Sequence, residues 1–94
     1  MPFLAIEKEL KNIPEFQRDS ILKEEAKTVL SLCSEGTIKE IYFNEHHLAV
    51  IFFDVAVIDQ VNIAIASLPL VQEGFITFDV MELKPYTGFS RLQQ

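Results

Sequence analysis

The 94-residue chain has one cysteine, three glycines, no tryptophan, and only eight Lys and Arg against fourteen Asp and Glu. Each shortage excludes something. Cys33 alone can form neither an intrachain disulfide nor a Cys-x-x-Cys metal pair, and a single free thiol suits a reducing cytoplasm. The few glycines make no phosphate-cradling loop, and there is no Gly-x-Ser-x-Gly elbow. A formal net charge of −6, with no cluster of cations, repels nucleic acid and anionic lipid at long range. The apolar runs are strand-length, far short of a bilayer crossing. Met1-Pro2-Phe3-Leu4 lacks the basic and apolar regions of a signal peptide. The expectation is a cytoplasmic protein with no nucleic-acid or membrane partner.

What the chain does have is an apolar surplus. A single domain of 94 residues supports only a marginal core, yet 49% of its residues are hydrophobic. Leu48-Ala49-Val50-Ile51-Phe52-Phe53 is apolar at every position. A strand sends successive side chains to opposite faces, so this one is greasy on both. An antiparallel sheet with one wet face alternates instead. Two helical segments can cover one face. The other is expected to meet a second copy of the chain, as a homodimer or a higher homo-oligomer.

The pattern along the chain predicts strands over Phe3–Lys8, Thr37–Asn44, Leu48–Val55 and Phe75–Leu83. Helices are predicted over Glu15–Glu35, after Pro14, and over Ile58–Ser67, before Pro69. Leu22, Ala26, Val29, Leu30 and Cys33 form one apolar stripe on the first helix, with Cys33 read as a core residue. The second helix has few polar residues, so it is expected to be buried on more than one side. Gly36 suits the left-handed stop of the first helix. The order βαββαβ gives a ferredoxin-like α+β fold, a four-stranded antiparallel sheet with both helices on one face. RNA-recognition modules share this order but need a basic, glycine-containing third strand, which is missing here. Residues 84–94, beyond the last strand, read as an irregular arm. Its Tyr86, Phe89 and Leu92 are costly in water, so it is expected to pack on a neighbouring subunit or close over a pocket, with Arg91 pairing an acid.

Several segments resemble the muconolactone isomerase-like family of the dimeric α/β-barrel superfamily. They are Gly36-Thr37 opening the second strand, His47 at the hairpin, Asp54-Val55 closing the third strand, a twelve-residue segment leading into Leu68-Pro69-Leu70, and Asp79 on the last strand. The resemblance implies a cofactor-free enzyme that moves a proton on a small unsaturated lactone, in a ring of dimers. The chain departs from it on strand two, offering Glu40 and Phe43 where enzymes of the type carry His and Arg. Without a bidentate guanidinium there, tight recognition of a carboxylate substrate is disfavoured.

A proton shift needs a base, an acid and a donor for the enolate oxygen. With Glu45 and His46 as a two-residue turn, Asn44 pairs with His47 and Tyr42 with Ala49. Period two then puts Glu40, Tyr42, Asn44, His47, Ala49, Ile51 and Phe53 on one mixed face. His47, Asp79 and Glu40 are the candidate acid–base groups. Tyr42 and Asn44 are candidate donors to a bound ligand, and Tyr86 and Arg91 of the arm are further candidate contacts. Glu7 reads as a surface charge. His46 and His47 are adjacent on opposite faces, so no metal is expected, and no cofactor either. Two alternatives stand beside the isomerase: a non-catalytic small-ligand-binding or assembly protein on the same scaffold, and a cofactor-independent monooxygenase.

Overall fold

A computed structural model describes residues 1–93. The elements run β1 (Pro2–Glu9), α1 (Glu15–Ser34), β2 (Ile38–Phe43), β3 (Ala49–Asp54), α2 (Ile58–Ala66), α3 (Pro69–Gln72), β4 (Ile76–Glu82) and a 3-10 helix (Gly88–Gln93). The strands form one antiparallel sheet in the order β2-β3-β1-β4. This is the ferredoxin-like arrangement, with the helices on one face. Pro69 does stop α2, and it then opens α3 from its first turn, where a missing N–H costs nothing. Gly36 sits in the left-handed region (φ +84°) just past α1. The arm, expected to be irregular, winds into the 3-10 helix.

Two registers fix which side chains share a face. Phe3, Ala5 and Glu7 of β1 lie with Val80 and Phe78 of β4 and with Ile51 and Phe53 of β3 under the helices. Leu4, Ile6, Val50 and Phe52 lie on the other face, half-exposed and uncovered by any described residue of the chain. The core is built on the helix side from Phe3, Ala5, Ile38, Ile51 and Phe53 against Val61 and Ala64 of α2. A second cluster joins Ile21 of α1 to Leu70 of α3 and to Phe75 and Ile76.

The hairpin differs from expectation, and the difference decides which residues face the helices. The loop has three residues, Glu45-His46-His47, because the Asn44 N–H donates to the Leu48 carbonyl (2.9 Å) and the His47 N–H to the Asn44 carbonyl (3.0 Å). His47 takes the left-handed conformation (φ 63°) that such a loop needs at its last position. The Asn44 side-chain oxygen holds the turn, accepting from the N–H groups of His46 (2.9 Å) and Leu48 (3.0 Å). Phe43 therefore pairs with Ala49 and Tyr42 with Val50. A one-residue slip moves a whole strand's side chains to the other face. Ile41 and Phe43 face the helices, while Glu40 and Tyr42 face away.

The helices are less buried than their composition implies. Ile21 is the buried residue of α1, and Leu30, on the apolar stripe, is 67% exposed. On α2, Val61 and Ala64 are buried while Ile63 is exposed, so only one side of that helix is covered. Neither helix lacks apolar residues; within one chain there is too little sheet to cover them.

Candidate active site

Val29 and Cys33 of the α1 stripe reach the core cluster, but the stripe as a whole does not fill the space above the sheet. It roofs a cavity of about 860 Å³, a size typical of small-molecule sites. Leu22, Ala26, Val29, Leu30 and Cys33 line the helix side. Ile41, Phe43, Ala49, Ile51, Ile76 and Phe78 line the sheet side. The cavity occupies the hairpin end of the sheet, beside Glu7 and Ile76. The far end, around Phe3 and Phe53, is closed by α2.

Two carboxylates stand among these apolar walls. Glu25 of α1 is half-buried, and its Oε1 accepts the Leu70 N–H at 3.0 Å. That bond ties α1 to the start of α3. Burial holds the Glu25 carboxyl above its ordinary range, the Leu70 N–H opposes the rise, and the charge of Glu7 adds to it. Glu7 of β1 is also half-buried, and its Oε1 accepts the Ala49 N–H at 3.0 Å, just past the last β1–β3 pair. Each carboxylate thus anchors one oxygen on the backbone. His47 lines the cavity at the loop, its ring edge-on to Phe43 at 5.4 Å. Glu9, Lys11, Asn12 and Arg18 complete the polar lining near the start of α1. Lys11 also lies over the Phe75 ring, 5.0 Å from its centre. Among the described residues, no group of three or more His, Cys, Asp or Glu side chains is placed to hold a metal.

The residues singled out from the sequence do not gather in one place. His47 lines the cavity. Asp79 is on the opposite face of the sheet, where it pairs with Lys8 at 3.7 Å and is well exposed. Glu40 is on that face too, on the far edge strand, and accepts the Tyr42 hydroxyl at 2.6 Å. The Glu40 carboxylate holds the Tyr42 hydroxyl above its ordinary range, through the hydrogen bond first and its charge second. Tyr42 borders the cavity, but its hydroxyl is given to Glu40. Asn44 spends its side-chain oxygen on the turn. Tyr86 and Arg91 lie on the arm, away from the cavity lining.

Glu25 and Glu7, the latter read from the sequence as a surface charge, are half-buried carboxylates of the cavity lining, and both had a signal in the sequence. Glu25 is three residues after Leu22 and four before Val29, inside the apolar stripe. Glu7 keeps the period of Phe3 and Ala5, so it shares their inward face. A charge set inside an apolar pattern marks a candidate for a buried functional group.

No family model matches the chain, and no curated protein matches it in sequence. Solved structures do match its fold. Muconolactone isomerase superposes with a TM-score of 0.77 at 19% identity, over 93% of this chain and 92% of that one. The 5-chloro-2-hydroxyhydroquinone dehydrochlorinase of Burkholderia phenoliruptrix AC1100, in complex with 2,5-dihydroxybenzoquinone, superposes with a TM-score of 0.70 at 13% identity, over 94% and 98%. The chain shares its fold with these two proteins over nearly its whole length, as the resemblance between Gly36 and Asp79 implies.

Proposed function

We propose that this protein is a cofactor-free isomerase, moving a proton within a small unsaturated lactone or oxo acid bound between α1 and the sheet. The observation that carries this reading is Glu25, a carboxyl lifted by burial inside a largely apolar cavity beside a second carboxylate. A lifted pKa makes Glu25 a stronger base than an exposed glutamate, and a better proton donor near neutral pH than one that is fully ionised. The free oxygen of Glu25 takes a proton from the carbon next to the ligand carbonyl. The C–H electron pair moves into the ring, leaving an enolate. The same carboxyl then returns the proton at the far end of the conjugated system. No electron is gained or lost overall. His47 supplies an N–H to the enolate oxygen at the loop end. Glu7 discourages ionisation of Glu25 and accepts a ligand hydroxyl. Fold likeness to an isomerase and to a dehydrochlorinase of small ring compounds supports this class of chemistry.

The test follows proton exchange into lactones, enols and oxo acids by NMR. Glu25→Gln keeps an acceptor for the Leu70 N–H but cannot carry the proton, so exchange is expected to fall about 10²- to 10⁴-fold. Asp79→Asn, on the other face, is expected to leave the rate unchanged. Rates in wild type and Glu25→Gln that both equal the uncatalysed background, with ligand still bound, leave a non-catalytic binding protein as the correct reading, and equal rates above background remove Glu25 as the proton carrier.

The uncovered face supports self-association. Leu4, Ile6, Val50, Phe52 and Met81 form an apolar band across the three strands β3, β1 and β4. A second copy presenting the same band would bury it. Phe52→Asp places a charge at the centre of that band and is expected to yield monomer by light scattering at low micromolar concentration. A wild-type chain that is already monomeric there contradicts this part of the reading.

A further inference from the structure

The cavity is larger than a single ring needs. An apolar cavity of about 150 Å³ already admits benzene. This one is several times that size, about 860 Å³. Its polarity is also graded, and two elements carry the same gradient. On β1 the inward residues run Glu9, Glu7, Ala5 from the hairpin end to the closed end. The start of α1 lies at the hairpin end, because Ile21 packs on Phe75 and Ile76, and Ile76 pairs with Glu9. Its later turns reach the core through Val29 and Cys33. Along that course the lining residues of α1 pass from Arg18 through Glu25 to Val29 and Cys33. The charge of Glu7 is felt at Glu25, so the two carboxylates mark one level of the cavity.

Beyond that level lies a compartment without charge. Val29, Leu30 and Cys33 line it from α1, and Ile41, Phe43 and Ile51 from the sheet. Eight residues of helix separate Glu25 from Cys33, a rise of about 12 Å. A ring whose reacting carbon reaches Glu25 occupies only the start of that length. Leu30 and Phe43 stay 67% and 70% exposed at the side of the compartment. Water finds few polar partners among these walls, and unfilled space forfeits dispersion contacts.

We propose that the ligand carries an uncharged hydrocarbon substituent, seated between the later turns of α1 and Ile41, Phe43 and Ile51 while its ring lies at Glu25. This names the substrate class of the site proposed above and rests on that reading. The class is a hydrophobic lactone or enol, in which the ring meets the carboxylates and the tail meets only apolar walls. A tail ending in a carboxylate is disfavoured, because its charge would be buried there without a partner.

The test is calorimetric titration with γ-valerolactone, γ-octalactone and γ-decalactone. These place a methyl, butyl or hexyl group on one saturated ring, which binds without isomerising. Each buried methylene is expected to tighten binding by up to about fourfold, and the whole series by about tenfold or more. Leu30→Glu sets a charge beside the compartment, and Cys33→Phe fills it from the helix. Both are expected to erase the gain and to hold γ-valerolactone affinity within about twofold of wild type. Leu30 is an exposed position, so Leu30→Glu keeps the test intact where Cys33→Phe fails to fold by circular dichroism. A wild-type series that is flat, or that shows no binding at any length, overturns the proposal. A gain that survives in every folded variant overturns it too. Proton exchange at the carbon beside the γ-valerolactone carbonyl, read by NMR, tests the isomerase reading separately. Exchange lost in Glu25→Gln beside a flat series removes the tail alone, and a length-dependent series without exchange removes the isomerase alone.

Discussion

The helix-side face of the sheet has two halves made from the same strands, and they have opposite fates. Around Phe3, Ala5 and Phe53 it is closed, because Val61 and Ala64 of α2 fit against it and Ile38 fills the side. Around Glu7, Ala49, Phe43 and Phe78 it is hollow, because α1 leans on α3 and the β2 edge and leaves the strands between unfilled. The inward residue of β1 changes from Ala5 to Glu7 where the closed half gives way to the hollow one. A fold this small can seldom leave apolar volume empty without cost, since unfilled space forfeits dispersion contacts. The hollow half is the place proposed above for a ligand, with its two half-buried carboxylates as the reacting groups.

Substitutions can set the two halves against each other. The largest expected difference is the loss of exchange in Glu25→Gln, which has no counterpart in the closed half. Next is stability. Phe53→Ala removes a fully buried ring and is expected to cost about 3–5 kcal/mol by denaturant unfolding. Phe43→Ala, on the same face but at the cavity mouth, is expected to stay within about 0.5 kcal/mol. Similar losses at the two positions would mean that the hollow half is packed in solution.

A smaller difference is expected in pH dependence. Burial raises the folded-state pKa of Glu25 above that of a glutamate in the unfolded chain. The folded state then holds the proton more tightly, and the resulting stability is complete below the unfolded pKa. It is lost as pH rises through the raised folded value. Stability should thus decline across that window in the wild type and decline less in Glu25→Gln, which cannot ionise. A Glu25→Gln curve parallel to wild type in thermal melts from acid to neutral pH would remove the case for a lifted carboxyl.

The strands and the topology were legible in the sequence, because runs such as Leu48–Phe53 and the breaks at Pro14, Gly36 and Pro69 are local signals. The site was legible only in part. Its geometry hung on the length of one turn, and Asn44 binding two backbone N–H groups lengthens that turn by a residue. The slip moved Glu40 and Tyr42 to the far face and left His47 at the cavity. Asp79, a candidate acid–base group, lies by strand parity on the face opposite Phe78 and Val80, and parity does not say which face holds the cavity. Glu25 stands inside the apolar stripe by its spacing, but spacing alone does not place it in a cavity. Whether an acid within an apolar stripe faces water or a cavity depends on how far the helix stands from the sheet, a tertiary fact that no spacing records.

Entry of small ring ligands into the hollow half, between α1 and the sheet, is open to one direct experiment. Backbone and methyl NMR shifts, followed during titration with a lactone or hydroxyarene panel, should move at Glu25, Val29, Ala49 and Ile51 while Lys8, Val50 and Asp79 stay still. Shifts confined to Lys8, Val50 and Asp79 would put the ligand on the other side of the sheet and refute a site under α1.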